Sequence, residues 1–402
     1  MLWKGPTTTA RNRSAVGVIL TLALALAFGK SGMAGQSQPP VDEPSPQVRS
    51  AVDGVLDLFR QKSVVALGDF HGMAQEEAFF GALIRDPRFA DRVGNVVVEF
   101  GGKSAQNVID RFANGEDVPF AELRHIWTDV VGWVPGPFYL GYVNFFAVVR
   151  AANLRLPANK RIRVWLGEPE IDWTKIHSHQ DLLPYLERRE DNVFRIIGEE
   201  ILQKQKKTLL IIGAGHLFNG PDGHGSLRAK IDSAYPNDLA VVTPVSWYVE
   251  SACNAKFVSR AKDWPVPAVA GPVEGWLKAE LQLPGCDYFT AEQVEQIKKM
   301  AVVGASPGGA GPKTPRSPAE IIASSVTQVS GVTADAILYF GPPDTLTRSP
   351  IEPSIYLDPE YFAEMNRRAQ CCFLPPNNKP LDWDQILQRN PVVPKEYLSD
   401  MR

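Results

Sequence analysis

The stretches Val64–Gly72 (VVALGDFHG) and Leu209–His216 (LLIIGAGH) decide the fold of this chain. Each begins with a short, continuous apolar run and ends in a Gly-x-x-His tetrad. A continuous apolar run of this length is typical of a strand that is buried on both faces, as in a parallel sheet. The sequence therefore predicts two similar half-motifs, each of which delivers a histidine to the carboxyl end of a strand.

Further apolar runs and the segments between them extend this pattern along the chain. The predicted strands besides Val64–Leu67 are Asn95–Phe100, Arg163–Leu166, Thr208–Ile212, Leu239–Thr243 and Ala334–Phe340. Helical spacing predicts helices at Gln75–Ile84, Ser104–Phe112, Phe145–Ala152 and Asp181–Lys206, with a late surface helix at 361–370. Strands that alternate with helices predict an α/β fold, with a mainly parallel central sheet and helices on both faces.

The first residues have the order of a secretory signal peptide. Scattered positive charges precede an uninterrupted apolar run, Ala15–Phe28, and a stretch of small residues follows it. The run is about 14 residues long, short of the roughly 20 that span a bilayer. We therefore predict a signal peptide at residues 1–34, export to the periplasm or beyond, and no stable membrane span after cleavage. The alternative is an uncleaved membrane anchor.

The rest of the chain indicates one domain. Residues 35–47 are polar and proline-rich, which predicts a flexible leader. Residues 48–402 are predicted to form a single α/β domain with a mobile, Gly/Pro-rich loop at 304–317. The net charge is only −3, and no basic block is long enough to follow a phosphate backbone. Nucleic acid is therefore not an expected partner.

Four cysteines, at 253, 286, 371 and 372, allow three full disulfide pairings in an exported protein. We expect Cys253 to pair with Cys286, because the adjacent Cys371 and Cys372 would bridge only with strain. None of the four lies near a predicted strand end. A catalytic thiol is therefore not expected.

The chemistry-bearing residues follow the carboxyl ends of four predicted strands. His71, Glu99, Glu168 and His216 arrive at this edge in chain order. Ligands of parallel sheets bind outside the carboxyl ends of the strands, so these side chains are expected to share one cleft. Imidazole acts as a general base near neutral pH when a carboxylate fixes its tautomer. We expect Glu99 to orient or charge-balance the active histidine, Asp69 to support the first tetrad and Glu168 to complete the polar wall of the site. The alternative is that each histidine only caps a helix or satisfies a core hydrogen bond.

Weaker candidates flank this set. Gly68 and Gly213 allow close approach of a substrate to the backbone. Arg188, Arg189 and Asp191 precede the second tetrad and could contact an anionic group or orient a histidine, with Arg189 as the candidate for substrate binding. A solvated helix face is the alternative for all three. His177 and His179 have the spacing of a metal chelator, but a polar loop that caps the helix at Asp181 explains them equally.

Four motifs carry a family resemblance over residues 60 to 220. LGDFHG (67–72), VVVEFG (96–101), the acid at Glu168 and IIGAGH (211–216) resemble the superfamily of erythromycin esterases, ChaN-type haem-uptake lipoproteins, and Tiki and TraB proteins. The resemblance implies an α/β fold whose site is formed by both tetrads, with His71, Glu99 and His216 at the functional positions. The esterase branch has Gly-Glu-x-His in the first tetrad, whereas this chain has Asp69.

These observations predict an exported hydrolase. His71 or His216 would activate water, directly or on a divalent metal (Mn, Co or Zn) held by His71, Glu99 and His216. The target would be an ester, lactone or amide bond of a small-molecule or peptide substrate. The alternative is an envelope haem- or iron-binding protein with a histidine as axial ligand and walls from Trp133, Tyr139 and Tyr142. An inactive interaction protein that keeps the fold is the third alternative.

Overall fold

The computed structural model describes residues 45–132, 139–217, 226–245, 252–281, 334–372 and 378–382. These residues all belong to one compact unit, Glu43–Arg402. The predicted signal peptide at 1–34 and the predicted loop at 304–317 lie outside the described residues. No helix in the described ranges is long and apolar enough to cross a membrane.

Within the ranges that the structure describes, eight strands form one mixed sheet in the order β1-β7-β8-β6-β2-β5-β3-β4. Their bounds are β1 Gln47–Ser50, β2 Val64–Asp69, β3 Asn95–Gly102, β4 Arg163–Glu168, β5 Thr208–Gly213, β6 Leu239–Pro244, β7 Ala268–Gly271 and β8 Ala336–Tyr339. From β8 to β4 every neighbouring pair is parallel, and only β7 runs antiparallel to its neighbours. The predicted α/β fold with a mainly parallel sheet is confirmed. Gln47, the last residue of the predicted leader, begins β1.

Helices connect the strands. Their bounds are α1 Ala51–Leu58, α2 Ala74–Arg85, α3 Pro87–Arg92, α4 Gln106–Ala113, α5 Phe120–Leu123, α6 His125–Thr128, α7 Leu140–Asn153, α8 His179–Glu187, α9 Arg189–Arg195, α10 Leu227–Ala234, α11 Ala252–Ala261, α12 Gly275–Leu281, α13 Ser354–Leu357 and α14 Pro359–Cys372. Side chains at the amino ends cap several of them, as Ser50 does for α1 and Asp86 for α3. Such caps satisfy amides that have no partner inside the helix.

The central strands are apolar without alternation because both faces of the sheet are covered. In β2, Val65 and Leu67 pack with α1, α2, α4 and α7 on one face. Val64 and Ala66 pack on the other face with α9, α10 and the π-helical turn Ile196–Leu202. Each fully buried aliphatic side chain of this kind contributes about 1.5–3 kcal/mol to folding.

The helical segment predicted at Asp181–Lys206 is confirmed in part, because the chain is helical from His179 to Leu202 with a one-residue interruption at Arg188. Pro184 lies inside α8 and has no amide hydrogen to donate to the preceding turn. The helix ends at Glu187, and α9 begins at Arg189. Arg189, the first residue of α9, contacts Glu99 and Glu168 at the carboxyl ends of β3 and β4.

The expectation that Cys371 and Cys372 do not pair is also wrong. The two residues close the last turn of α14 and form a disulfide with each other. Cys372 is buried in a cluster with Trp173 and Ile176, and its carbonyl contacts His179 Nδ1 at 2.8 Å. Cys371 and Cys372 are neighbours in sequence and lie in the same helical turn. The expected pairing of Cys253 with Cys286 stays a prediction, because the side chains of both residues lie outside the part of the chain that the structure describes.

The carboxyl end of β3 contains an irregularity that matters for the site. Val98 pairs with Leu166, but the next partners along are Gly102 and Glu168, so β3 contains two more residues than β4 over this interval. Such a bulge re-aims the side chains around it. Gly102 then passes so close to Asp129 that a Cβ would lie 2.0 Å from the Asp129 carbonyl oxygen. Glu99 lies in this bulge, and regular pairing with β4 resumes at Gly102.

We expect Gly102→Ala to destabilise the fold by at least about 2 kcal/mol, because the added methyl group meets backbone that has no side-chain freedom to yield. The matched control is Gly215→Ala, where a Cβ would meet nothing within 4 Å. This control should stay within about 0.5 kcal/mol of the unsubstituted protein. Urea unfolding of the three proteins measures both values. Equal midpoints for the two variants would show that the contact between residue 102 and the Asp129 backbone leaves room for a methyl group.

Candidate functional site

His71 and Asp69 form a hydrogen-bonded pair at the end of β2. Asp69 Oδ2 accepts from His71 Nδ1 at 3.0 Å and from the Tyr142 hydroxyl at 2.5 Å. The Asp69 side chain is buried, whereas the His71 side chain is 36% exposed. Burial lowers the pKa of His71, but the carboxylates of Asp69 and Glu99 outweigh burial and raise it above its usual value. The pair therefore has an oriented imidazole with a buried carboxylate behind it.

Glu99 connects the two tetrads. Its Oε2 accepts from the Gly213 amide at 2.5 Å, and its Oε1 accepts from Arg189 Nη2 at 2.5 Å and lies 3.4 Å from His216 Nε2. Burial raises the pKa of Glu99, but the hydrogen bond with His216 and the charges of His71 and Arg189 lower it far below the ordinary value. Glu99 is therefore ionised throughout the neutral range.

Arg189 lies between two buried carboxylates. Its Nε donates to Glu168 Oε1 at 2.7 Å, and its Nη2 is shared with Glu99. Glu168 Oε2 accepts the Val131 amide at 3.1 Å. A Cβ at Gly132 would lie 2.1 Å from Arg189 Nη2, so only glycine leaves room for the guanidinium. Burial raises the pKa of Glu168, although Arg189 opposes this shift.

His216 is held from its other side by α9. Its Nδ1 contacts Glu190 Oε1 at 2.9 Å, and Lys230 Nζ lies 3.6 Å from Glu190 Oε2. Burial lowers the pKa of His216, but hydrogen bonds with Glu190 and Glu99 raise it to about 9. At neutral pH His216 is therefore an imidazolium between two carboxylates.

Gly213 separates the two halves of the site. A Cβ on this residue would lie 2.8 Å from His71 Nε2 and 3.1 Å from Glu99 Oε2, so these atoms border the same small space. Gly68 serves packing instead, since a Cβ there would meet Ala214 at 3.1 Å. Gly72 has φ +87°, which favours glycine, and the Tyr139 ring covers it.

The structure brings together most residues that the sequence singled out. Asp69, His71, Glu99, Glu168, His216 and Arg189 lie at neighbouring strand ends, in the order β2-β5-β3-β4. Arg189 pairs with carboxylates within the protein, a role different from the predicted contact with substrate. Glu190 was missed, although its position beside Arg189 on a helix before the second tetrad offered a signal.

The weaker candidates lie elsewhere. His177 and His179 flank the start of α8, where Ser178 caps the helix and Asp181 accepts the His177 amide at 3.1 Å. The capping explanation of these histidines therefore accounts for their position. Arg188 is exposed, and Asp191 pairs with Lys230 at 2.7 Å.

The predicted metal ligands His71, Glu99 and His216 do not fit a divalent cation in this arrangement. Both Glu99 oxygens already accept from protein donors, and the Arg189 guanidinium lies against the same carboxylate. An incoming cation would face that positive charge at short range. Within the described ranges, no group of three or more His, Cys, Asp or Glu side chains is arranged to hold a metal ion. The expectation of Mn, Co or Zn gains no support from this geometry.

The haem alternative stays a prediction. Of its predicted wall residues, Trp133 lies outside the described residues. Tyr142 is buried and donates its hydroxyl to Asp69, and Tyr139 packs edge-on to it with ring centroids 6.0 Å apart. The two tyrosines therefore support the first tetrad rather than stand as an open apolar wall.

Comparison with known proteins adds little to this geometry. No family model matches the chain, and no curated protein matches it. Among solved structures, the type III effector HopBA1 is 17% identical with a TM-score of 0.32, covering 52% of this chain and 93% of its own. A protein from Bacillus cereus is 9% identical with a TM-score of 0.39, covering 77% and 97%. Likenesses this distant carry no argument, and the superfamily resemblance stays a prediction.

We expect Arg189→Met to destabilise the protein by about 3–5 kcal/mol, because it leaves Glu99 and Glu168 buried without their shared cation. The matched control is Arg195→Met, which removes a surface pair with Glu199 on the same helix. That loss should cost no more than about 1 kcal/mol. Thermal and urea unfolding at neutral pH measure both effects. A fully stable Arg189→Met protein would mean that the carboxylates do not depend on this cation.

Proposed function

We propose that this protein is a hydrolase in which His71 activates water against an ester, lactone or amide carbonyl. The observation that supports the proposal most is the Asp69–His71 hydrogen bond, with His71 Nε2 bordering the space beside Gly213 and Glu99. A carboxylate on Nδ1 fixes the tautomer in which Nε2 accepts a proton.

The two histidines have different roles in this proposal. His216 is an imidazolium at neutral pH because its pKa is about 9, so it does not serve as the base. His71 is the base: its Nε2 takes a proton from water as the water oxygen attacks the carbonyl carbon. His216 gives its proton to the leaving oxygen or nitrogen as the bond to the carbonyl carbon breaks. The base and the acid then return to their starting states by proton exchange with solvent.

The remaining charged groups support the assignment of His71 as the base and His216 as the acid. Glu99 balances the charge of His216, and Arg189 holds Glu99 in place through its second partner, Glu168. Asp69, itself held by Tyr142, prevents His71 from rotating.

The substrate and the location are also part of the proposal. We infer a small-molecule or peptide substrate, and an exported protein, from the sequence patterns described above. The resemblance to the esterase-containing superfamily agrees with carbonyl hydrolysis.

We expect His71→Ala and His216→Ala each to reduce kcat/KM by about 10²–10⁴. The double variant should lose little more than the worse single variant, because groups that act as one unit are strongly non-additive. His179→Ala is the control and should stay near the unsubstituted rate, since this residue contacts the Cys372 carbonyl away from the site. The measurement is hydrolysis of a panel of aryl esters, lactones and peptides, with thermal midpoints for each variant. Unchanged hydrolysis in either single variant would contradict the proposal.

The proposal also predicts a bell-shaped pH profile of kcat/KM. Activity should rise with pH as His71 loses its proton, at a pKa above the usual value near 6.5. It should fall as pH passes about 9, where His216 loses the proton it donates. Glu190→Gln removes a contact that raises the pKa of His216, so the alkaline limb should move to lower pH while the acid limb stays. An alkaline limb that does not move in this variant would rule out His216 as the acid.

A further inference from the structure

Two acidic residues that the mechanism does not use are buried directly behind the Asp69–His71 pair. Glu76 is 0% exposed and Glu77 is 5% exposed, and both lie in the first turn of α2. Asp69 is 3% exposed. Three carboxyl groups therefore share one region of the core. Among the ion pairs of the described residues, none joins an arginine or lysine to any of the three.

The hydrogen bonds of this region leave one oxygen on Asp69 and one on Glu76 without a donor. Asp69 Oδ2 accepts from His71 and Tyr142, and Glu76 Oε2 accepts the Phe70 amide at 2.9 Å. Asp69 Oδ1 and Glu76 Oε1 are buried and accept no N–H or O–H in the described part of the chain. Because Phe70 directly follows Asp69, its amide places the Glu76 carboxyl group beside Asp69.

Two ionised carboxylates without a cation are unfavourable neighbours in the core. Burial penalises each charge, and the like charges repel. One proton shared between the two groups removes the repulsion and gives both orphaned oxygens a partner, as in paired carboxyl groups generally. Asp69 already receives two hydrogen bonds at its other oxygen, whereas Glu76 receives one amide. Asp69 is therefore the group that keeps the negative charge.

We propose that Glu76 is a positioning residue whose protonated carboxyl group donates a hydrogen bond from Oε1 to Asp69 Oδ1. Asp69 is then held on both oxygens, by Glu76 on one and by Tyr142 and His71 on the other. The carboxylate that orients His71 has no freedom to rotate. The shared proton stands independently of the proposed hydrolase function, while its effect on catalysis depends on that function.

The electrostatics of the region agree with this geometry. Burial and the charge of Asp69 raise the pKa of Glu76 well above its ordinary value. Burial also raises the pKa of Glu77, to about 8, although the Ser349 hydroxyl and the Gly141 amide lie close enough to oppose the shift. These two groups approach the Glu77 carboxyl group without meeting hydrogen-bond geometry. Glu77 therefore titrates near neutral pH, and burial together with the charge of Asp69 favours the protonated form of Glu76.

Infrared difference spectroscopy on the full chain tests the shared proton without a substrate. About one pH unit above the Glu77 value, the protein should still show the C=O stretching band of a protonated carboxyl group. The band should be absent in Glu76→Gln and present in the matched neighbour variant Glu77→Gln. If the spectra of Glu76→Gln and the unsubstituted protein are identical in this region, Glu76 carries no proton and the proposal fails.

The His71 pKa, measured by NMR titration, gives a second test. Glutamine is neutral and keeps an N–H donor, so Glu76→Gln should leave the pKa of His71 within about 0.3 of the unsubstituted protein. If Glu76 were instead ionised, its removal would lower that pKa by about one unit, which would overturn the proposal.

Kinetics then test the positioning role. Glu76→Leu removes the donor and should lower kcat by about ten- to a hundredfold with KM nearly unchanged, whereas Glu76→Gln should stay within about threefold. Equal losses in the two variants would overturn the positioning role. If Glu76→Leu does not fold, Glu76→Gln alone carries the spectroscopic tests. If the unsubstituted protein hydrolyses no substrate, the hydrolase proposal fails while the infrared and NMR results still decide the shared proton.

Discussion

The guanidinium of Arg189 between buried Glu99 and Glu168 is the interaction on which the rest of the site depends. Each carboxylate comes from a different strand, and neither would stay ionised in the core without a partner cation. Arg189 joins β3 to β4 through its two partners, and Glu99 extends the connection to β5 through the Gly213 amide. A planar guanidinium with several fixed donors can bind both carboxylates at once, whereas a lysine would supply only a point charge.

Negative charge dominates the interior around this arginine. Asp69, Glu76, Glu77, Glu99 and Glu168 are all buried, against one guanidinium and two imidazoles. The protein resolves the imbalance in two ways. Where cations are near, as at Glu99, the carboxylate ionises and the neighbouring imidazole gains a proton. Where no cation is near, as at Glu76, burial favours the neutral acid. The same residue type thus has its pKa shifted in opposite directions within one site, whereas the pKa of each histidine is raised because carboxylates lie beside it.

Strand order explains how residues far apart in sequence reach one another. Along the chain β5 follows β2, β3 and β4, but in the sheet it lies between β2 and β3. This insertion pairs Asp69 with Gly213 and places the second tetrad beside the first. The two tetrads are similar in sequence but not in conformation, because the first ends in a turn at Gly72 and the second continues as a 3-10 helix over Ala214–Leu217. The two imidazoles therefore meet different neighbours, which are Asp69 at His71, and Glu99 and Glu190 at His216.

The sequence by itself determined strands β2 to β6 and β8, the mainly parallel sheet and the delivery of His71, Glu99, Glu168 and His216 to one edge, because burial on both faces leaves continuous apolar runs and parallel strands share their carboxyl ends. The four-residue strands β1 and β7 were not predicted. Only the tertiary structure decided the order of the strands, the bulge that aims Glu99, the interruption at Arg188 and the pairing of Cys371 with Cys372. These features depend on contacts between segments distant along the chain, or on how a single turn closes against its neighbours. Periodicity records which residues are buried, but it does not record which partner each buried charge meets, and that partner sets the protonation state of each group in the site.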